Sequence, residues 1–285
     1  MITAAGLTFT YPGAASPAIQ DLAFAVQPGE VFGFLGPSGA GKSTTQNILI
    51  GLLRGWRGEV EVAGKPLGAW GPEYYRTIGV SFEFPNHYLK LTARENLEYF
   101  RSLYGPDTAS VSEVLALVEL ADHADKRVGE FSKGMKARLN FARSLLHRPR
   151  LWFLDEPTTG LDPVNAVRIR EIIREHQGRG VTTLLTTHDM VTAEAVCDRV
   201  AFIVDGRIAA IDSPAALRQR YGKRVVEVSR TDASGAVSVL PFAMDGLAAN
   251  PSFLDALADP TLTAVHSQEA TLEDVFVEVT GRTLQ

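Results

Sequence analysis

The sequence predicts an α/β fold: a parallel sheet covered by helices on both faces, led by an antiparallel β segment and followed by a small α+β appendage. Three observations carry that expectation. Short β-rich apolar runs (Val31 to Leu35, Ile78 to Phe82, Leu151 to Leu154, Val181 to Thr186, Val200 to Val204) alternate with helical patterns, as strands buried on both faces do. A glycine-rich loop joins the first of these runs to a helix. Beyond about Tyr221 the runs shorten and the pattern changes.

In chain order, Ile2 to Val26 reads as antiparallel strands split by the turn "YPGAASP". Helices are expected over Lys42 to Leu53, Gly134 to His147 and Pro163 to Gln177. In the last, Asp162 can cap backbone N–H groups and Pro163 takes the first helical position, where a missing N–H costs nothing. Thr92, with Glu95 three residues on, opens a further helix after "NHYLKL", the pattern of a capping box. In the appendage, Val225 to Ser229, Val237 to Leu240 and Leu262 to Val265 read as strands, with a helix starting at Ser252. Its final helix pairs Thr271 with Asp274 and sets Leu272, Val275, Phe276 and Val279 on one face before Gly281. The expected division is residues 1–221 as one body, with a helical subdomain over about 84–148, and residues 222–285 as an accessory region. No internal repeat is present.

The 285 residues are 45% hydrophobic and 21% charged, with no low-complexity tract, which suits an ordinary globular chain. A net charge of −5 leaves no basic stripe for a phosphate backbone, so nucleic acid is not the expected partner. Cys197 is the only cysteine, which excludes an intrachain disulfide and a cysteine-based zinc site and reads as a small core residue. The N-terminus lacks the charged start and apolar stretch of a signal peptide. No later run approaches the ~18 apolar residues of a membrane span. Any membrane role therefore calls for a partner chain.

The strongest chemical signal is "GPSGAGKST", residues Gly36, Pro37, Ser38, Gly39, Ala40, Gly41, Lys42, Ser43 and Thr44. It satisfies G-x-x-x-x-G-K-[ST] between a strand and a helix. Glycines let successive backbone N–H groups turn inward around a phosphate, and the helix N-terminus adds its positive dipole end. Lys42 places a point charge on the phosphates, and the Ser43 hydroxyl can ligate Mg²⁺. "LWFLDEP" then ends an apolar strand on two acids at the sheet edge where ligands bind. There Asp155 can hold Mg²⁺, directly or through water, and Glu156 can take a proton from an attacking water.

The stretch "FSKGMKARLNFARSLLHRPRLWFLDEPTTGLDP", followed by "LLTTHDM", orders a Ser-x-Gly, a basic amphipathic helix, the acidic strand and a histidine at a strand end. That order resembles the nucleotide-binding subunits of the ABC transporter superfamily over Ile2 to about Tyr221. No Asn-Lys-x-Asp, the guanine-reading motif of GTPases, is present. The resemblance implies a P-loop NTPase of ABC type that binds ATP and Mg²⁺. It places Tyr11 where the family stacks an aromatic on adenine, although a tyrosine before Pro-Gly, taken alone, is more often a packed one. Ser132 and Gly134 match the signature loop facing ATP on a second subunit, and Asp162 matches the loop that meets its counterpart across the dimer; both Ser132 and Asp162 also read as plain helix caps. His188 matches the histidine that contacts the γ-phosphate. One motif set per chain implies a dimer, expected to join two copies of this chain.

Two departures stand out. The signature reads Phe-Ser-Lys-Gly-Met, with Lys133 and Met135 where the family commonly has Gly and Gln. In "IGVSFEFPN", Glu83 stands where the family carries the Q-loop glutamine. A carboxylate there either reaches the metal, or lies close enough to Asp155 and Glu156 to shift a pKa, or is a solvated acid or partner contact. His87, Tyr88 and Leu89 just beyond read either as a docking surface for a membrane partner or as loop packing. The form "SKGM" and the ending "ATLEDVFVEVTGR" are similar to ATPase subunits of bacterial drug-, antibiotic- and lipid-exporting systems, the fluoroquinolone and multidrug type among them. The implied function is an ATP-hydrolysing subunit on the cytoplasmic face of a membrane exporter, bound to a transmembrane permease. The alternatives are a soluble ABC-type ATPase acting on a non-transport machine, which usually shows two motif sets or basic extensions, and an ATP sensor without turnover, against which Glu156 argues.

Overall fold

The computed structural model describes residues 1–222, 225–231, 234–268 and 270–282. It opens with β1 (Ile2–Phe9) and β2 (Ile19–Val26), paired antiparallel with Ile2 opposite Val26 and Ala4 opposite Phe24. Ile2, Ala4, Leu7 and Phe9 are buried, an alternation shifted by one residue at the irregularity between Ala4 and Leu7, as expected for a sheet with one wet face. β3 (Val31–Leu35) follows, then α1 (Lys42–Leu49), and β4 (Arg57–Val62) with the short β5 (Lys65–Pro66) completes a four-stranded sheet in the order β2-β1-β4-β5. Next come α2 (Tyr74–Thr77), β6 (Ile78–Ser81), α3 (Ala93–Ser102), α4 (Val111–Leu117) and α5 (Lys133–Arg143). β7 (Leu151–Asp155), α6 (Pro163–Gly178), β8 (Thr182–Thr187), α7 (Met190–Val196), β9 (Arg199–Val204) and β10 (Arg207–Asp212) complete this part of the chain.

The second sheet runs β10-β9-β3-β8-β7-β6. Its five consecutive strands from β9 to β6 are parallel, and β10 turns back antiparallel on β9. That reversal is made by Asp205 and Gly206, both at positive φ (49° and 71°), the backbone a two-residue hairpin needs. Every residue of β3 is buried, since it lies between β8 and β9. The strands divide their side chains between two cores. Phe32, Phe34, Leu151, Phe153 and Leu184 pack with α1 and the antiparallel sheet. Trp152 points the other way, against Phe141 of α5 and His176 of α6. Cys197 is buried, with its sulfur 2.7 Å from where a Cβ on Gly33 would stand.

Two helices stop short of their expected ends. α1 ends at Leu49 rather than Leu53 because Gly51 turns left-handed (φ 80°) and the N–H groups of Leu52 and Leu53 both turn back to Asn47 O. α5 ends at Arg143 rather than His147. There the Ser144 hydroxyl donates to Phe141 O and accepts from Trp152 Nε1, and the chain tightens toward Pro149 through Arg148 at φ 52°.

The chain divides into two compact units, a first built on Met1–Ser213 and a second on Pro214–Thr283. The second holds α8 (Pro214–Tyr221), β11 (Val225–Thr231), β12 (Val237–Ala243), α9 (Pro251–Ala258), β13 (Leu262–Gln268) and α10 (Leu272–Thr280). Its sheet is antiparallel in the order β12-β11-β13, over a core of Val226, Val228, Phe253 and Ala256. α10 carries the Thr271–Asp274 capping box and ends on a left-handed Gly281; Leu272, Val275 and Phe276 are buried. Among the described residues no helix is long and apolar enough to cross a membrane.

Candidate active site

The loop from Gly36 to Gly41 lies between β3 and α1, at the carboxyl edge of the parallel strands. Gly39 and Gly41 adopt φ of 78° and 107°, where a side chain would be strained. A Cβ on Gly41 would also lie 2.6 Å from Ile19 Cγ2 and 2.9 Å from Ala18 O. Gly41 precedes α1 without any side-chain cap, so the first N–H groups of the helix are left for an anion. Lys42 is 7% exposed and its Nζ donates to Gly36 O (2.6 Å) and Pro37 O (3.0 Å). Burial lowers its pKa, while the charges of Glu156, Asp155 and Glu83 oppose that shift. A cation this enclosed, resting on the carbonyls of its own loop, is stored where phosphate oxygens can take it over.

Asp155 ends β7. Its Oδ1 accepts from Ser43 Oγ (3.3 Å) and, in a short bond, from Thr186 Oγ1. Burial raises its pKa ahead of the charge of Glu156, and the two hydroxyls partly offset this. Glu156 is the next residue and stands at φ 49°, a left-handed turn that sends its side chain away from that of Asp155. Its side chain is 8% exposed. One oxygen meets His188 Nδ1 at 2.8 Å, and the other accepts from Thr159 Oγ1 (3.2 Å) and Thr187 Oγ1 (3.1 Å). His188 itself is 58% exposed. Thr159, Thr186 and Thr187 were not singled out from the sequence, although the threonine pair directly precedes His188 in "TTHDM".

A cavity of about 290 Å³ gathers Ser38, Gly39, Gly41, Lys42, Ser43, Thr44, Glu83, Glu156 and His188. Glu83 thus faces the same space as the phosphate loop. Its pKa is raised by desolvation, then by Asp155 and Glu156, against the opposing charges of His188 and Lys133. Tyr11 stands beside the loop, its hydroxyl 3.1 Å from Thr44 Oγ1 and its ring edge-on to Phe9 at 4.9 Å, with 41% of its surface open.

Ser132, Gly134 and Asp162 do not line this cavity. Ser132 caps α5 through Met135 N, and Asp162 caps α6 through Asn165 N. Their loops touch: Lys133 covers Gly160, and Gly134 lies beside Leu161 and Gly160. His87 is an internal strut rather than part of a docking face, with Nε2 bound to Lys136 O at 2.9 Å. Tyr88 and Leu89 are exposed, as is Phe84.

The donor set fits a nucleotide with a hard cation. Among the described residues no group of three His, Cys, Asp or Glu side chains forms a closed metal site. A single hydroxyl and carboxylate, Ser43 and Asp155, are what an ion that keeps water and phosphate oxygens requires.

Phosphate binding after one strand and a held carboxylate after another make this fold a P-loop nucleoside triphosphatase. A model of the ABC transporter family matches residues 19–159, and one of the fluoroquinolone efflux ABC transporter C-terminal domain matches residues 224–269. The fluoroquinolones export ATP-binding protein of Mycobacterium tuberculosis (strain ATCC 25618 / H37Rv) is 56% identical over 284 residues, covering 100% of this chain and 94% of that protein. Nod factor export ATP-binding protein I of Rhizobium sp. (strain N33) is 38% identical, covering 94% and 93%. The solved structure of an ATP-binding subunit of an ABC transporter matches with a TM-score of 0.69 at 31% identity, over 78% of this chain and 93% of that one. An ATP-binding cassette in a dimeric post-hydrolysis state, bound to ADP and Pi, matches with a TM-score of 0.69 at 26% identity, over 75% and 98%. The chain belongs to the ABC transporter ATP-binding family, carries a C-terminal domain of the fluoroquinolone efflux type, and is an ATPase.

Proposed function

We propose that this chain is the ATP-hydrolysing subunit of a drug exporter, working as a dimer of two copies on a transmembrane permease at the inner face of the cell membrane. The observation that carries the hydrolytic reading is the Glu156 carboxylate, nearly buried and held on both oxygens by His188, Thr159 and Thr187 inside the cavity of the phosphate loop. The export reading draws on relatives described as exporting fluoroquinolones and Nod factor. Residues 1–221 are the catalytic body in this reading and 222–285 the accessory region, although α8 (Pro214–Tyr221) clusters with the second compact unit, which moves the boundary back to Pro214.

In this reading the uncapped N–H groups of α1 and the Lys42 ammonium bind the phosphates, and Tyr11 packs on the adenine. Glu156 takes the proton of a water that attacks the γ-phosphorus, as the bond to the β-phosphate oxygen breaks and ADP leaves. His188 holds Glu156 and the γ-phosphate in register. Ser43 and Asp155, with Glu83 beside them, would hold Mg²⁺, which when bound would supply charge neutralisation at the phosphate oxygens. Ser132 and Gly134 complete the site of the second subunit, and Asp162 meets its counterpart there.

The experiment is purification of the tagged chain from mild detergent extracts of its own cells. A co-purifying polypeptide with several hydrophobic spans, and ATPase activity that rises in its presence, is expected. Quantitative recovery in the aqueous fraction without a membrane polypeptide would favour a non-transport ATPase instead.

A further inference from the structure

Glu83 has no hydrogen-bond partner of its own among the described residues, yet the chain on both sides of it is held by one helix. Asn140 of α5 is 1% exposed, and its Nδ2 donates to Ser81 Oγ (3.1 Å) and to Phe82 O (2.8 Å). Its Oδ1 accepts from Arg143 Nη2 at 2.6 Å, and Arg143 Nη1 donates to Asn86 O at 2.7 Å. Four residues N-terminal to Asn140, Lys136 O receives the His87 ring. These bonds from one face of α5 land on residues 81–87, either side of the acid, while Arg138 of the same helix bonds Val118 O and Glu119 O instead.

We infer that Asn140 and Arg143 are positioning residues for Glu83, which fix the segment carrying it to α5, so that the acid moves as one body with the Ser132–Gly134 loop at the other end of that helix. The inference rests on Glu83 acting in the hydrolytic site, as proposed above. β6 ends at Ser81, where its pairing with Leu154 stops. Beyond it the chain has no strand partner, and Asn140 sits at that junction. Both N–H donors of the Asn140 amide are used and its oxygen accepts from Arg143, so loss of a partner strands a buried polar group. The Arg143 guanidinium is also seated over the Phe100 ring at 4.6 Å, which limits it to one geometry. An eleven-residue helix is a stiff rod of about 16 Å, so a displacement at the Ser132 end is delivered to residues 82–86. At that same end Lys133 adds a favourable charge for Glu83.

The test is a double-mutant cycle on ATPase turnover of the full chain, using Arg143→Lys, Asn140→Ala and Glu83→Gln singly and in pairs, with urea midpoints measured in parallel. Arg143→Lys keeps the cation over Phe100 but loses the fork, and it decides the case if Asn140→Ala does not fold. Expected is a loss of about tenfold in kcat for Arg143→Lys with KM for ATP within twofold. In the Glu83→Gln background the same change should alter kcat by less than twofold, while the shifts in urea midpoint simply add. Multiplying kcat losses would overturn the inference and leave Glu83 in the site, as would a parental kcat for Arg143→Lys beside a reduced one for Glu83→Gln. If Glu83→Gln leaves both kcat and the Mg²⁺ requirement unchanged, the reading of Glu83 itself fails, and the inference with it.

Discussion

Gly36→Ala asks how the phosphate loop is placed. Gly36 leaves β3 beside β9, and a Cβ there would stand 2.1 Å from Ile203 O and 3.4 Å from the Ala40 Cβ. The φ of Gly36 is not positive, so the obstacle is room and not backbone conformation. Carbon–oxygen contacts close in at about 3.3 Å, so the two backbones must part by roughly 1 Å. Spreading a packed core this way costs about 1–3 kcal/mol. The movement also carries Lys42, whose Nζ bonds Gly36 O at 2.6 Å. A misplacement of roughly 1 Å among reacting groups costs on the order of 10²-fold in rate. Urea unfolding should show a lower midpoint at unchanged m, and steady-state ATPase assays a kcat lower by about two orders of magnitude. A variant within about 0.5 kcal/mol of the parent in stability, turning over at the parental rate, would show that the approach of β9 does not position the loop.

Two further outcomes follow from the same geometry. His188→Ala removes a 58% exposed ring, so stability should change by no more than about 0.5 kcal/mol. Because Glu156 loses the partner that orients it, kcat should fall by about 10²-fold; a parental kcat would contradict that role. Burial, partly offset by the bond to Lys136 O, lowers the His87 imidazole from 6.5 to about 4. The unfolded chain thus takes up this proton near pH 6.5 and the folded one only near 4, so stability falls as pH drops through that window, by about 1–3 kcal/mol. Burial lowers His147 and His176 as well, with the same sign. His87→Gln should flatten the loss of urea midpoint between pH 7 and 4.5, and an undiminished slope would refute the assignment.

Much of the site is legible in the sequence because its physics is local. The phosphate loop needs glycines at fixed offsets before a lysine, and Gly39 and Gly41 take the positive φ those offsets imply. The Thr92–Glu95 and Thr271–Asp274 capping boxes form as read, since each closes within four residues. Asp155 and Glu156 fall at a strand end, as their apolar lead-in requires. What could not be read is set by bonds between distant residues. Nothing near "LNFAR" announces that Asn140 and Arg143 hold residues 82 and 86, over separations of 58 and 57 positions. The sequence leaves His87 open between a docking surface and loop packing because the Lys136 carbonyl that receives it lies 49 residues away. The early end of α5 likewise depends on Trp152 reaching back to Ser144.

The proposed hydrolysis rests most directly on Glu156 as the base. Glu156→Gln keeps the shape and the hydroxyl partners while removing the proton acceptor, and single-turnover hydrolysis with ATP and Mg²⁺ reads the consequence. The predicted result is tight ATP binding with phosphate release slowed by about 10²–10⁴-fold and a dimer that persists with uncleaved nucleotide. Phosphate release at the parental rate would contradict it.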